Sequence, residues 1–165
     1  MWNRDRTPEQ IAQYRGVIDE VVRELREGSG MRDPRRILDG IPADRLDPDR
    51  YAPAVVERGE ALNALRASLS DQQRDLLAQM VFDAFDGGVF ATLEALHAHG
   101  VEPFDEGYEG DPHSDYVGRT AGFGWPDEDG RWGESGTTNP SRYPWHEEGA
   151  AGLRAEEASG TEETP

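Results

Sequence analysis

The stretch LSDQQRDLLAQMVFDAFDGGVFATLEALHAHG, residues 69–100, decides the fold because a helix start, an apolar pattern and a helix stop follow one another in it. Ser70 is a favourable N-cap, and Gln73 can return a hydrogen bond to its amide, as in a capping box. Gly100 is a typical C-terminal cap. The stretch therefore predicts a central helical segment that ends near residue 100.

A glycine pair interrupts the apolar pattern of this stretch. Before the pair, helical spacing predicts one buried face: Leu76, Leu77, Met80, Val81, Ala84 and Phe85. After it, the spacing resumes at Phe90, Leu93 and Leu96. Each glycine costs about 1 kcal/mol relative to alanine in a helix interior. One long helix and two helices joined at Gly87-Gly88 both remain open, and we favour a kink or tight turn there.

The chain from Thr7 to Gly28 predicts a second amphipathic helix. Thr7 and Gln10 form another capping box, and Pro8 suits the first helical position. The apolar stripe consists of six residues: Ile11, Tyr14, Ile18, Val21, Val22 and Leu25. Most of its charged residues, with Asp19 among them, are expected to face solvent.

Residues 29–52 are interrupted by prolines and predict only short helical turns. Their apolar residues are expected to reach the core: Ile37, Leu38, Ile41, Leu46 and Tyr51. A third helix is predicted from Pro53, with a face made of Val55, Val56, Leu62 and Leu65. It should end just before Ser70, and such a short connection favours antiparallel neighbours.

After Gly100 the composition shifts to glycine, proline and aspartate, and no helical stripe persists. Asp129-Gly130 is typical of a hairpin turn, and Trp125 and Trp132 flank it. We therefore expect an irregular C-terminal extension, with a short hairpin as one form of it. The glutamate-rich end of the chain has little to bury and predicts a disordered tail.

Together these patterns predict a mainly α fold, a small bundle of three to four helices. The helical domain with its C-terminal extension is expected to span residues 1–138, with a helical body over about 7–100. The disordered acidic tail is expected to span residues 139–165.

The charge of the chain is strongly acidic. There are 34 acidic and 17 basic residues, all of the latter arginine, for a net charge of −17. Residues 1–100 hold 18 acids and 13 arginines, whereas residues 101–165 hold 16 acids and 4 arginines. Such a surface repels nucleic acid and favours a basic protein partner. The composition is also typical of a GC-rich genome or of a salt-adapted cell.

Other features of the sequence indicate where in the cell the protein is expected. The absence of cysteine excludes disulfides and thiolate chemistry. The polar N-terminal residues do not resemble a signal peptide, and we expect no segment that is apolar enough to span a bilayer. A cytoplasmic location without membrane contact is therefore the expectation.

Two groups of motifs resemble a known family. One is LSDQQRDLLA at 69–78, followed by DGGV at 86–89; the other is DYVGR at 115–119, followed by GWP at 124–126. Together they resemble a group of short bacterial proteins catalogued as a domain of unknown function, over roughly residues 8–27 and 69–127. The resemblance implies a helical body with a glycine break before the last helix, and no assigned activity. Residues 29–52 and the acidic tail depart from it.

The histidines offer a weak metal site. His97, His99 and Glu94 lie near the end of the central helical segment, but positions 97 and 99 point about 200° apart. Zinc would need further ligands, such as His113 or Asp115. We therefore predict no metal and no cofactor. Adjacent His113, Ser114 and Asp115 cannot adopt the geometry of a catalytic triad.

The strongest candidate binding set joins two aromatic residues, an arginine and an acid: Tyr116, Arg119, Trp125 and Asp86. As a functional site it would be a patch for a partner or ligand. As a structural feature it would be a clasp that fixes the C-terminal segment on the helices near Gly87-Gly88. In that interpretation Arg119 pairs with Asp83 or Asp86.

Three functions fit the sequence. The first is a non-enzymatic protein-interaction module with a basic partner, for which an immunity or antitoxin-like role rests on charge alone. The second is a small metal-dependent hydrolase that uses His97, His99, Glu94 or Asp115. The third is a structural protein of a salt-adapted cell.

Overall fold

The computed structural model describes residues 6–42, 45–108, 110–126 and 141–147. Five α-helices follow one another in these ranges: α1 (Pro8–Arg26), α2 (Ser29–Leu38), α3 (Pro53–Ser68), α4 (Asp71–Ala98) and α5 (Pro112–Thr120). These ranges contain no strand, which confirms the mainly α class. The expected hairpin at Asp129-Gly130, Trp132, the boundary at 138–139 and most of the acidic tail lie outside the described residues. Residues 141–147 of that tail are described and include a helical turn at 144–147, where the expectation of disorder was wrong.

Both predicted capping boxes are present. The amide of Thr7 donates to Oε1 of Gln10 at 2.8 Å, and the amide of Gln10 donates to Oγ1 of Thr7 at 3.3 Å. The Ser70 and Gln73 pair repeats this exchange at 2.9 and 3.3 Å. Gly100 ends α4 with a φ of 61°, a conformation that favours glycine. The beginnings of α1 and α4 are therefore set by local side-chain chemistry.

The central segment is one continuous helix. α4 runs for 28 residues through Gly87-Gly88, so the tight turn between two helices that we favoured there alongside a kink is wrong. A Cβ added at either glycine would meet no atom of the described residues within 4 Å, so no other backbone in those ranges approaches them closely. The two glycines together cost about 2 kcal/mol relative to alanine. The remaining residues of the helix and its packing outweigh this cost.

Two helices were missed. α2 contains Pro34 in its interior, which removes one helical hydrogen bond, but the proline is itself buried and packing outweighs that loss. α5 begins where the side chain of Asp111 accepts a hydrogen bond from the amide of Ser114 at 2.7 Å, with Pro112 at the first helical position. The expectation of an irregular extension was therefore wrong at α5, whose nine residues are too few for a visible stripe.

The chain divides into two compact units. The first comprises Met1–Val22 with Phe90–Pro165, and the second comprises Arg23–Val89. Buried residues of the first unit include Tyr14, Ile18, Leu93, Tyr108, Asp115 and Tyr116. Buried residues of the second unit include Leu25, Met31, Ile37, Ala78 and Phe82. α1 and α4 each contribute residues to both units.

The predicted core is wrong at several positions of the second unit. Phe85 was expected inside but is 38% exposed, whereas Phe82 is 2% exposed. The exposed residues also include Ile41, Tyr51, Val55, Leu62, Leu65, Leu76 and Met80. The reason is that α4 is apolar around much of its circumference, so that spacing alone does not tell which face packs.

By length and composition, α4 is long and apolar enough to cross a membrane. Its most apolar 18-residue window has a mean hydropathy of 1.3, and 17% of that window is buried. Our expectation that no segment meets this criterion was wrong. Length and composition alone are weak evidence for a membrane helix. Asp83 and Asp86 fall inside every 18-residue window of α4. An aspartate near the centre of a membrane helix costs about 2.5–3.5 kcal/mol.

Candidate functional site

A buried tyrosine and a buried aspartate meet in the first unit. α1 carries Tyr14 and α5 carries Asp115, and both residues are 0% exposed. The hydroxyl of Tyr14 donates to Oδ2 of Asp115 at 2.6 Å, and the amide of Tyr108 donates to the same oxygen at 2.5 Å. Burial and the hydrogen bond to Asp115 raise the pKa of Tyr14 above its ordinary value. Because solvent does not reach this pair, its role is structural.

The loop before α5 holds Asp115 in place. Gly107 lies so close to the carbonyl group of Asp111 that a Cβ would overlap it. Asp111 caps α5 and also lies 3.1 Å from Nε2 of His113. The ring of His113 packs against Phe90 with 4.8 Å between centroids. The imidazole of His113 is therefore in contact with the ring of Phe90 and with the carboxylate of Asp111, the N-cap of its own helix.

A second group, the Asp19 cluster, consists of Asp19, Arg119, Trp125 and Arg15. Nε of Arg119 donates to Oδ1 of Asp19 at 2.7 Å, and Nε1 of Trp125 donates to the same carboxylate at 2.9–3.0 Å. The guanidinium groups of Arg15 and Arg119 lie 5.3 and 5.5 Å from the centroid of the Trp125 ring. Arg119 also donates to the carbonyl of Phe123. The cluster ties residues 119–126 to α1.

The structure corrects the predicted clasp. The acid that pairs with Arg119 is Asp19, not Asp83 or Asp86, and a Cβ added at either glycine of the α4 pair would have no atom within 4 Å. Tyr116 is 1% exposed and lies in the core of the first unit. It therefore offers no surface for a partner, whereas Arg119 and Trp125 remain half-buried.

Asp19 and Arg15 were missed because they were assigned to the solvated face of α1. One signal was available in the sequence. They stand one helical turn apart, at i and i+4, beside the stripe that contains Tyr14 and Ile18. A side chain at the border of an apolar stripe can contact another segment of the chain that packs there, or it can face solvent.

Two helices of the second unit present apolar side chains to solvent. On α4 the outward row consists of Leu76, Met80, Ala84, Gly87 and Gly88. Leu76 is 53% exposed and Met80 is 69% exposed. On α3 the outward stripe consists of Val55, Leu62 and Leu65, which are 46%, 45% and 52% exposed. Grouped exposed residues of this size commonly mark interaction surfaces.

A family model matches residues 7–127 and is described as a family of unknown function, DUF6547. The chain belongs to this family. The match contains all five helices and the Asp19 cluster, and it also runs through residues 29–52, which the motif resemblance left out. Comparisons with curated proteins and with solved structures found no match. Membership in DUF6547 assigns no activity to the chain.

The predicted metal candidates of this DUF6547 chain are not brought together. Within the ranges that the structure describes, no three or more histidine, aspartate or glutamate side chains are placed to hold a metal ion. His99 instead lines a shallow apolar groove of about 470 Å³, together with Ala91, Thr92, Ala95, Leu96 and Val101. Those six residues include one imidazole and no carboxylate, so they do not form an acid–base pair.

Proposed function

We propose that this DUF6547 chain is a non-enzymatic protein-interaction module that binds a basic amphipathic helix of a partner protein on the outward row of α4. One observation carries the proposal: Met80, a large apolar side chain, is 69% exposed one turn from Leu76, which is 53% exposed. An amphipathic helix buries its apolar side in such a row. Occupancy of the row would remove these side chains from water.

Charge decides what kind of helix fits. Residues 75–98 contain four acids and no arginine: Asp75, Asp83, Asp86 and Glu94. Asp83 lies three residues after Met80 and four residues before Gly87, so it borders the outward row. A partner helix with basic residues beside its apolar stripe would complement this border. The net charge of −17 would also speed the approach of a basic partner.

Small residues shape the same row. Ala84, Gly87 and Gly88 follow Met80 along the exposed side of α4, and a Cβ at either glycine would stand in open space. Helices pack with axes about 8–10 Å apart, and the shorter distances require small side chains at the contact. The row would thus give a partner helix two apolar anchors and a flat section beside them. An immunity or antitoxin-like role is compatible with a basic partner and rests on the charge alone.

A peptide-binding experiment tests the proposal. The probe is a labelled helical peptide of about 18 residues with a leucine stripe flanked by lysines, and the control peptide carries glutamate in place of lysine. Fluorescence anisotropy should show binding of the lysine peptide alone. The double variant Leu76→Ser/Met80→Ser should weaken that binding about tenfold or more without a change of net charge.

Two controls separate this row from attraction by charge. The double variant Leu62→Ser/Leu65→Ser changes α3 instead and should bind the lysine peptide as the wild type does. Circular dichroism confirms that each variant remains helical. Unchanged binding by the folded Leu76→Ser/Met80→Ser variant, or equal binding of the glutamate peptide, would overturn the proposal.

A further inference from the structure

α3 is a helix without a buried residue. It has 16 residues, and none of them is buried. Most helical stability in proteins comes from the packing of an apolar face. The outward stripe of α3, which consists of Val55, Leu62 and Leu65, is between 45% and 52% exposed. About half of each side chain is therefore left for another molecule to cover.

Two arginines accompany this stripe. Arg58 stands four residues before Leu62 and Arg66 stands four residues after it, so both lie on the side of α3 that carries the stripe. The two glutamates of the helix, Glu57 and Glu60, point away from the middle of the stripe by about 120° or more. The outward side of α3 is therefore both apolar and basic.

This side of α3 has the chemistry that fits the outward row of α4. That row is apolar, and Asp83 lies at its border. A helix that carries an apolar stripe and arginines on the same side complements it. Within one chain the row and the stripe do not cover each other, because Met80 of the row is 69% exposed and Leu65 of the stripe is 52% exposed. The row is thus left for α3 of a second copy.

The spacing of these residues fits an antiparallel arrangement. Arg58 and Leu65 are seven residues apart on α3, and Leu76 and Asp83 are seven residues apart on α4. When the two leucines lie opposite each other, antiparallel helix axes bring Arg58 opposite Asp83, about 10.5 Å further along both helices. Parallel axes in the same register would leave that arginine and aspartate about 21 Å apart.

The other residues of the stripe also find counterparts in this register. Leu62 and Met80 lie about 4.5 and 6 Å along the axes from the opposed leucines, and Val55 and Gly87 lie about 15 and 16.5 Å from them. A Cβ at Gly87 would meet no atom of the described residues within 4 Å, so the glycine leaves room for the valine side chain. Large side chains of the stripe thus meet the two anchors and the flat section of the row.

The net charge of the chain opposes this contact only weakly. Residues 23–89, the second unit, hold 13 acids and 10 arginines, a net charge of −3 in a chain of −17. Repulsion between the more acidic parts of two copies is screened beyond about 8 Å at physiological ionic strength. The unit that carries both surfaces is therefore the less acidic part of the chain.

We propose that the basic helix that occupies the outward row of α4 is α3 of a second copy of this chain, in antiparallel orientation. The inference rests on the proposed function, because it names the partner of the same row. One contact uses the stripe of one copy and the row of another, so a third copy can repeat it or the first copy can return it. A single pair of helices buries less than the roughly 800 Å² per partner of a standard interface. The association is therefore concentration-dependent, with a Kd on the order of 10–100 µM.

Sedimentation velocity of the full chain tests the association. The average mass should rise above 18.3 kDa as the protein is concentrated from about 1 µM to about 500 µM, which brackets the expected Kd. The stripe variant Leu62→Ser/Leu65→Ser and the row variant Leu76→Ser/Met80→Ser should each stay monomeric, because each lacks one half of the contact. Circular dichroism confirms that both variants remain helical.

An equimolar mixture of the two variants gives the sharpest result. The row variant keeps an intact stripe and the stripe variant keeps an intact row, so the mixture should form a heterodimer although neither variant associates alone. Pairing of two stripes, or of two rows, would instead let one variant associate by itself. Association of either folded variant alone, no association in the mixture, or a wild type that is monomeric throughout would overturn the inference.

Charge exchange tests the antiparallel register. Arg58→Asp and Asp83→Arg should each weaken the association about three- to tenfold, because each replaces an attraction between copies by a repulsion. The double variant should restore it, since residue 58 of one copy faces residue 83 of the other. Arg32→Asp on α2 is the matched control, because it changes the net charge equally and should not weaken the association. Failure of the double variant to restore association would overturn the pairing.

The lysine peptide separates this inference from the proposed function. Added in excess, the peptide should compete with α3 for the row and return the wild type to the monomer. A wild type that binds the peptide on the row but never associates with itself would overturn the inference and leave the proposed function intact. A row that binds no lysine peptide would overturn both.

Discussion

The hydroxyl of Tyr14 donates a hydrogen bond of 2.6 Å to Oδ2 of Asp115, although the two residues are 101 positions apart in the chain. Both are 0% exposed. The amide of Tyr108 donates to the same oxygen, so one carboxylate joins α1, the loop after α4 and α5. A buried carboxylate is stable only while such donors are present. This bond is therefore the polar centre of the first unit.

Tyr14→Phe should destabilise the protein by about 1–3 kcal/mol, because Asp115 would lose a donor in a site that water does not reach. Urea denaturation followed by circular dichroism measures the change. Tyr51→Phe is the matched control, since Tyr51 is 49% exposed, and it should have almost no effect. Equal stabilities of the Tyr14→Phe variant and the wild type would show that the bond contributes nothing.

Alkaline pH should destabilise the wild type more than Tyr14→Phe. The folded protein holds the pKa of Tyr14 above the value of 10.0 that applies to the unfolded chain. The unfolded state therefore loses this proton first, and the contribution to stability is present below pH 10 and is lost as the pH rises further. Above pH 10 the free energy of unfolding of the wild type should fall by up to about 1.4 kcal/mol per pH unit more than that of Tyr14→Phe. Urea midpoints of the wild type and Tyr14→Phe, measured from pH 8 to pH 11, should therefore approach each other above pH 10, because the more stable wild type loses stability faster; parallel curves would refute the assignment to Tyr14.

Local chemistry is what the sequence predicted best. The capping boxes at Thr7 and Ser70 and the stop at Gly100 depend on neighbouring residues, so their spacing was enough to place the ends of α1 and α4. α3 was placed correctly by Pro53 and by the cap of the next helix. These signals act within a turn or two of the helix, and a single sequence contains them in full.

Packing was not predicted, because it depends on partners distant in the chain. Phe82 and Phe85 lie three residues apart on an almost wholly apolar helix, and their spacing gives no reason to choose which is buried. We expected the acid that pairs with Arg119 on α4, because the C-terminal segment was predicted to pack beside Gly87-Gly88. Arg119 pairs instead with Asp19 of α1. The predicted clasp therefore contained the arginine and the tryptophan that contact α1, but its acid was wrong, and the binding role of these residues stays a prediction.

Phe82→Ala should cost about 3–5 kcal/mol, because it empties a fully packed position in the second unit. Phe85→Ala on the same helix should cost much less, since Phe85 is 38% exposed and Phe82 only 2%. The two variants remove the same atoms from one helix, so differences in helix propensity cancel. Thermal and urea unfolding of both would settle the comparison, and a larger loss for Phe85→Ala would place the buried face of α4 elsewhere.

Two glycine-to-alanine variants should have opposite signs. A Cβ at Gly107 would overlap the backbone of Asp111, so Gly107→Ala should destabilise by about 1–3 kcal/mol or more. A Cβ at Gly16, inside α1, would meet nothing within 4 Å. Gly16→Ala should therefore stabilise by about 0.5–1 kcal/mol through helix propensity. Melting temperatures give both signs, and a stabilising Gly107→Ala would contradict the close approach of the loop.

The Asp19 cluster predicts an energetic coupling between α1 and residue 119. Arg119→Ala and Asp19→Asn should each destabilise the fold, because each removes one partner of a 2.7 Å ion pair. Their side chains are 24% and 41% exposed, so solvent screens the pair and the coupling should be about 0.5–1 kcal/mol. A double-mutant cycle measured by urea denaturation gives this value directly.

Asp86→Asn combined with Arg119→Ala supplies the matched comparison, and those two effects should add. Trp125 makes the cycle more specific, since its Nε1 donates to the carboxylate of Asp19. Asp19→Asn keeps one oxygen that can accept from this indole, whereas Asp19→Ala removes it as well. Asp19→Ala should therefore be the more destabilising of the two, and its tryptophan fluorescence should shift because the indole loses its acceptor. Additive effects of Arg119→Ala and Asp19→Asn, together with coupling between Arg119 and Asp86, would mean that the arginine is held by α4 after all.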